Sequence, residues 1–254
     1  MGLAIDFLPR SEPHDRQPHR EPRTRLRGVR AGLSRAWLRI RHRWLGRRYG
    51  HLVIEWIDGV PLVVLPDVFN PVLFRGGELL AHTLRDHPLL ATPGLRVLDL
   101  GCGSGVVAVF AARRGAQVTA TDINPAAVRC TRINALLNRV ETQVETAAGD
   151  LFEPLAGRVF DLIVFNPPFF RGRPRDALDH AWRGETVFER FAAGLDRHLA
   201  PGGQAWVLLS TDGAGNELLA LLRKAGFRLD IVRERRWWNE IMTVYAVARV
   251  QDGV

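Results

Sequence analysis

The chain has 254 residues, 46% of them hydrophobic, and a formal net charge of +8. That apolar content is ample for a core, yet no apolar run approaches the ~18 residues of a membrane-spanning helix. Two cysteines, Cys102 and Cys130, are too few for a disulfide framework, which excludes a stapled extracellular module and points to a reducing, cytoplasmic setting.

Residues 1–48 hold 13 Arg and 4 acidic residues, whereas 49–254 hold 22 basic and 23 acidic ones. The basicity therefore belongs to an N-terminal arm and not to the body. Up to about Arg25 the arm is rich in Pro, Arg, His and Glu, has little to bury, and is expected to be disordered. Over 26–49 arginines alternate with apolar residues, and Leu33, Trp37, Leu38, Ile40, Trp44 and Leu45 fall near helical spacing. A basic amphipathic helix of this kind can lie on RNA or an acidic membrane surface; a solvated arm or a helix packed on the domain fits the pattern equally. Asp6, Glu12, Asp15 and Glu21 count against an organellar targeting peptide.

Residues 49–94 lead into the main domain. Two short strands, 51–57 and 60–65, flank Asp58-Gly59 as a hairpin, and 76–87 reads as a helix. From 95 to 254 strands and helices alternate: strands at 95–100, 117–121, 142–147, 159–165, 204–210, 227–234 and 241–249, helices at 104–114, 125–137, 185–199 and 214–225. Such alternation predicts an α/β fold with a doubly wound, mostly parallel seven-stranded sheet. The last two strands have no helix between them and are expected as an antiparallel hairpin at a sheet edge.

The first strand of this series runs into Asp99-Leu-Gly101-Cys-Gly103-Ser-Gly105, a glycine-rich turn that opens a helix. Its glycines allow a tight turn and close approach of a ligand to the backbone. Asp99 can reach a ligand ammonium. Asp122, with Ile123, ends the second strand, placed for two ribose hydroxyls. Asp150, with Leu151, follows the third, where a carboxylate can accept from an adenine amine. A sulfonium, a zwitterionic amino acid, a ribose and an adenine, with no phosphate, describe S-adenosyl-L-methionine. Neither cysteine sits in a metal-ligand pattern and no metal is expected.

The apolar run 160–165 stops at Asn166-Pro167-Pro168-Phe169. Two prolines end the strand and leave carbonyls free. The Asn amide offers an acceptor and donors, and the Phe ring a stacking face, a set suited to holding a planar NH₂ group for alkylation. Asn166 and the Pro167 carbonyl are expected to accept its two hydrogens, with Phe169 stacked on the plane. Arg171, Arg173 and Arg175 form a basic loop beside this motif that can grip phosphates, and solvated loop residues fit equally.

In the order Asp99-to-Gly105, Asp122-Ile-Asn-Pro125, Gly149-Asp-Leu-Phe152 and Asn166-Pro-Pro-Phe169, residues 66–250 resemble the class I methyltransferases of the HemK-related branch, which includes the release-factor glutamine-N5 enzymes. Ala181-Trp-Arg-Gly184 also resembles their short relatives. The stretch from Phe69 to Glu78 is similar as well to the entry segment of ribosomal RNA guanine-N2 methyltransferases. The resemblance implies methyl transfer from S-adenosyl-L-methionine to a glutamine amide of a release-factor-like protein substrate. The alternative is an exocyclic amine of rRNA, tRNA or DNA (guanine N2 or adenine N6), with structured RNA as the partner.

Overall fold

The computed structural model describes residues 51–173, 179–238 and 240–250; the arm expected at 1–48 lies outside the described residues. In chain order the elements are β1 Val53–Ile57, β2 Val60–Val64, α1 Gly76–Asp86, β3 Arg96–Leu100, α2 Val106–Ala112, β4 Gln117–Asp122, α3 Pro125–Leu137 and β5 Val144–Ala148. There follow β6 Phe160–Phe165, β7 Phe170–Arg171, β8 Arg183–Gly184, α4 Val187–His198, β9 Leu199–Ser210, α5 Gly215–Lys224, β10 Phe227–Arg236 and β11 Ile241–Arg249.

Seven of these strands form one sheet in the order β10-β11-β9-β6-β3-β4-β5. The run from β9 to β5 is parallel, and β11 is antiparallel to both of its neighbours. The doubly wound α/β fold with its C-terminal hairpin is thus the fold of the chain, and β10 is an edge strand with no second partner among the described residues.

Alternate residues of each central strand serve opposite faces, as strand geometry requires. Val97, Leu162 and Val164 join a core with α1 and α2, through Leu80, Leu84 and Phe110. Leu98, Ile163 and Phe165 join a second core with α4 and α5, through Phe191, Leu195 and Leu222. Because helices cover both faces, β6 is buried almost throughout and reads as an unbroken apolar run.

The β1–β2 hairpin is fastened to α3 chiefly by the fully buried Asn134, with the buried Cys130 thiol also donating to the Val63 carbonyl at 3.2 Å. Asn134 accepts the Val63 N–H at 2.7 Å and donates to the Val63 carbonyl at 2.6 Å and to the Ser104 carbonyl at 2.8 Å. Asn138 donates to the Pro61 carbonyl at 2.9 Å. The hairpin is thereby tied to the glycine turn as well as to the helix.

Two differences from the sequence pattern stand out. β9 begins at Leu199, not 204, because Leu199 already pairs with Phe160 before a register shift; the Pro201-Gly202-Gly203 stretch masks this in the sequence. The two-residue parallel pair β7–β8 is too short to show any alternation.

Candidate active site

The carboxyl ends of β3, β4, β5 and β6 converge on one cavity of about 240 Å³, the crevice where ligands bind in sheets of this kind. Every residue that the sequence marks for cofactor or catalysis lines it, except Gly105. Gly105 lies behind the cavity as the N-cap of α2, at φ +79°, where a Cβ would sit 2.9 Å from the Thr131 Cα. Its role is to let α2 and α3 approach. The turn itself is pinned to β4, since the Gly101 and Cys102 N–H groups both donate to the Thr121 carbonyl, at 2.8 and 2.9 Å.

Three carboxylates ring this half of the cavity, each fixed differently. Asp99 is 3% exposed and accepts the Ala108 N–H in the first turn of α2 at 3.1 Å. Burial pushes its carboxyl up to about 7, with the nearby Asp122 charge acting in the same direction. Asp122 accepts the Gly103 N–H at 2.9 Å and the Asn124 N–H at 2.8 Å, and burial raises its carboxyl too. Ile123 beside it is 44% exposed, an apolar surface at the rim. Asp150 is gripped on both oxygens by Arg190 of α4, at 2.8 and 2.9 Å. Phe152 holds that loop in place by stacking on His198, ring centroids 4.4 Å apart, while Leu151 takes the left-handed conformation, φ 51°.

The other half is aromatic. Phe69, Phe169 and Trp182 line the cavity. Trp182 lies 5.2 Å from Phe69, 6.4 Å from Phe169 and edge-on to Phe74 at 4.3 Å. The β7–β8 pair brings Trp182 there, with the Phe170 N–H donating to the Trp182 carbonyl at 2.9 Å. Phe69 is set by its neighbour Asn70, whose Oδ1 accepts the Val72 and Leu73 N–H groups at 3.0 Å and whose amide donates to Glu55 at 2.7 Å. Between the two halves stands Asn166. Its Oδ1 is buried and has no hydrogen-bond partner among the described residues, and the same holds for Thr121 Oγ1. A buried acceptor left open in this way is costly unless a ligand supplies the donor.

The basic loop is less available than its sequence suggests. Arg171 is bound to Glu189 at 2.8 Å, to Glu217 at 2.9 Å and to the Glu185 carbonyl at 2.9 Å, with its guanidinium 4.6 Å over Phe188. Arg173 pairs with Glu185 at 3.3 Å, and Arg175 lies outside the described residues. Sequence reasoning did not single out Phe69 or Arg190 for the site. Phe69 belongs to the entry segment, whereas nothing in the sequence around Arg190 signals its reach to Asp150.

A family model described as the methyltransferase small domain matches residues 60–227. The chain belongs to that family. It is a methyltransferase, and S-adenosyl-L-methionine is its methyl donor. The cavity fits that donor by its chemistry: three carboxylates and the open Thr121 hydroxyl suit an ammonium, hydroxyls and an amine, and would repel a phosphate.

Similar proteins divide over substrate. A putative protein N5-glutamine methyltransferase of Methanocaldococcus jannaschii is 31% identical over 77% of this methyltransferase and 98% of its own length. The release factor glutamine methyltransferase of Bordetella pertussis is 39% identical over 64% of each chain. The ribosomal RNA small subunit methyltransferase C of Alcanivorax borkumensis is 34% identical over 59% of this methyltransferase and 42% of its own length. The chain thus spans less than two thirds of the last two. Among the described residues no helix is long and apolar enough to cross a membrane.

Proposed function

We propose that this methyltransferase alkylates the side-chain amide nitrogen of a glutamine in a protein substrate, of release-factor type. The observation that carries the reading is the buried, unpartnered Asn166 Oδ1 beside a wall of Phe69, Phe169 and Trp182. A planar amide fits both features at once: its NH₂ donates to Asn166 Oδ1 and to the Pro167 carbonyl, while its plane lies on the rings. S-adenosyl-L-methionine supplies an electrophilic methyl group. The chain's own part is positioning. Two acceptors fix the nitrogen lone pair toward the donor side of the cavity and stabilise the positive charge that develops on nitrogen. Asp99, Asp122 and Asp150 hold the cofactor end, with Ile123 and Leu151 as apolar contacts. The likeness to the putative protein N5-glutamine methyltransferase, over 98% of that protein's length and 77% of this chain, supports the same substrate class.

A second reading is methylation of an exocyclic amine in RNA. The 34% identical ribosomal RNA enzyme favours it, and a base amine offers the same two hydrogens on a planar group.

The test is to incubate the protein with methyl-labelled S-adenosyl-L-methionine and a cell extract, alongside Asn166→Ala. The expected label is lost to protease and resides on a glutamine side chain. The variant should bind the cofactor nearly unchanged but transfer methyl about two or more orders of magnitude more slowly. Label lost to nuclease instead would replace the glutamine reading with the RNA one. Equal transfer by the variant would remove Asn166 from the mechanism.

A further inference from the structure

The outer face of the β1–β2 hairpin is apolar and uncovered. Leu52, Ile54 and Trp56 project to one side of β1 and are 57%, 57% and 63% exposed, whereas Ile57 and its partner Val60 are buried on the other side. Cross-strand from them stand Val63 opposite Ile54 and Pro61 opposite Trp56. The two edges of the hairpin also differ. Asn134 occupies the backbone of β2 at Val63, while β1 makes no second ladder among the described residues. Three large apolar side chains in a row on one strand face are more than scattered surface hydrophobics.

The chain itself carries a matching segment a few residues away. Leu33, Trp37, Ile40 and Trp44 follow steps of four, three and four, which line one face of a helix. Between Leu45 and Leu52 lie six residues, including Gly46 and Gly50, able to span roughly 20 Å when extended. A helix over 33–45 would be ~20 Å long at 1.5 Å per residue, and a strand of five residues ~17 Å. We propose that residues 33–45 fold back as an amphipathic helix whose Leu33-Trp37-Ile40-Trp44 stripe covers Leu52, Ile54 and Trp56. The arm's arginines then face outward as a basic surface fixed to the domain instead of trailing from it.

Hydrogen exchange on the full chain, read by mass spectrometry, tests this. Peptides from 33–45 should exchange at least about tenfold more slowly than an unstructured chain. In an Ile54→Asp, Trp56→Asp double variant that protection should vanish while β3 and β6 peptides stay protected. A second variant, Trp37→Ser with Trp44→Ser, leaves the described domain untouched and should give the same loss. Fast exchange in the parent protein, or protection that survives both variants, overturns the proposal. So does a parent dimer, measured by light scattering, that the hairpin variant dissolves, since the face would then belong to a second copy. Protection gained only on adding acidic phospholipid vesicles overturns it as well.

Discussion

The Asp150 carboxylate is held on both oxygens by the Arg190 guanidinium, and the adjacent Glu189 holds Arg171 at 2.8 Å. Two consecutive residues in the first half of α4 therefore clamp the loop after β5 and the segment after Asn166-Pro-Pro-Phe. Both pairs are partly open to water, where such contacts contribute about 0.2–1 kcal/mol each. Arg190→Ala is expected to weaken S-adenosyl-L-methionine binding a few-fold, with the rate of transfer from the saturated enzyme within about twofold. Calorimetric titration and a saturating-cofactor rate check both halves; a purely structural Arg190 would leave the affinity unchanged.

Asn134 is the fastening on which the entry segment hangs. Asn134→Ala strands the Val63 N–H and the Ser104 carbonyl in a fully buried position and leaves the Val63 carbonyl only the Cys130 thiol as donor. A loss of about 2–4 kcal/mol is expected, the range for breaking a buried network. Urea unfolding measures it, and because Ser104 belongs to the glycine turn, cofactor affinity should fall as well. Asn138→Ala, which removes donors to the Pro61 and Asn134 carbonyls at a half-buried position, should cost about half as much or less.

Phe169 is positioned from behind by the turn after β9. Its carbonyl accepts the Ala214 N–H at 2.9 Å, and a Cβ on Gly213 would lie 2.7 Å from that same oxygen. The obstructing atom is backbone and cannot swing away. Gly213→Ala should push the aromatic wall out of place and slow transfer by about ten- to a hundredfold, the penalty of a misplacement near 1 Å. Single-turnover kinetics would show it, with cofactor affinity near the parent value.

Asp99 gives the ligand-free protein a pH signature. Its carboxyl stands at about 7 in the folded state against an ordinary 3.8, so between these values the folded chain retains a proton that the unfolded chain has lost. Stability from this group is full below about pH 4 and is lost as pH rises through about 7, at up to ~1.4 kcal/mol per pH unit. The raised Asp122 carboxyl acts in the same direction. Denaturation across pH 4–7 should show the decline, and Asp99→Asn should flatten it. An ammonium brought to the site favours the ionised carboxyl, so cofactor affinity should rise with pH toward a plateau above 7.

The strands and helices were legible because their chemistry is local. β6 is six apolar residues closed by two prolines, the hairpin is announced by Asp58-Gly59, and the three carboxylates recur at the ends of successive strands. What escaped has no local signature. Asn134 reads as an ordinary polar position on a helix, yet it is fully buried because β2 crosses over it. Phe69 and Trp182 both fall in stretches that the sequence marks, but their packing against each other does not show there, because they meet only through the entry segment and a two-residue strand pair. Arg190 lies one turn into a helix whose other residues already account for its amphipathic pattern. Even the start of β9 was obscured, since Pro201 and two glycines resemble a turn while pairing with β6 has begun.

The edge strand β10 bears on how the protein behaves in concentrated solution. Its ten residues include Arg228, Asp230, Arg233, Glu234, Arg235 and Arg236, joined along the strand by Arg228–Asp230 and Arg236–Glu234 pairs at 2.7 Å. The ladder to β11 also shifts register between Ile231 and Arg233. A second sheet docking there would have to desolvate these charges and match a kinked row of donors and acceptors, which is how natural sheets resist edge-to-edge growth. Fibrillar association through this side of the molecule is thereby opposed by the strand's own charges and kink, with no further strand paired to it among the described residues.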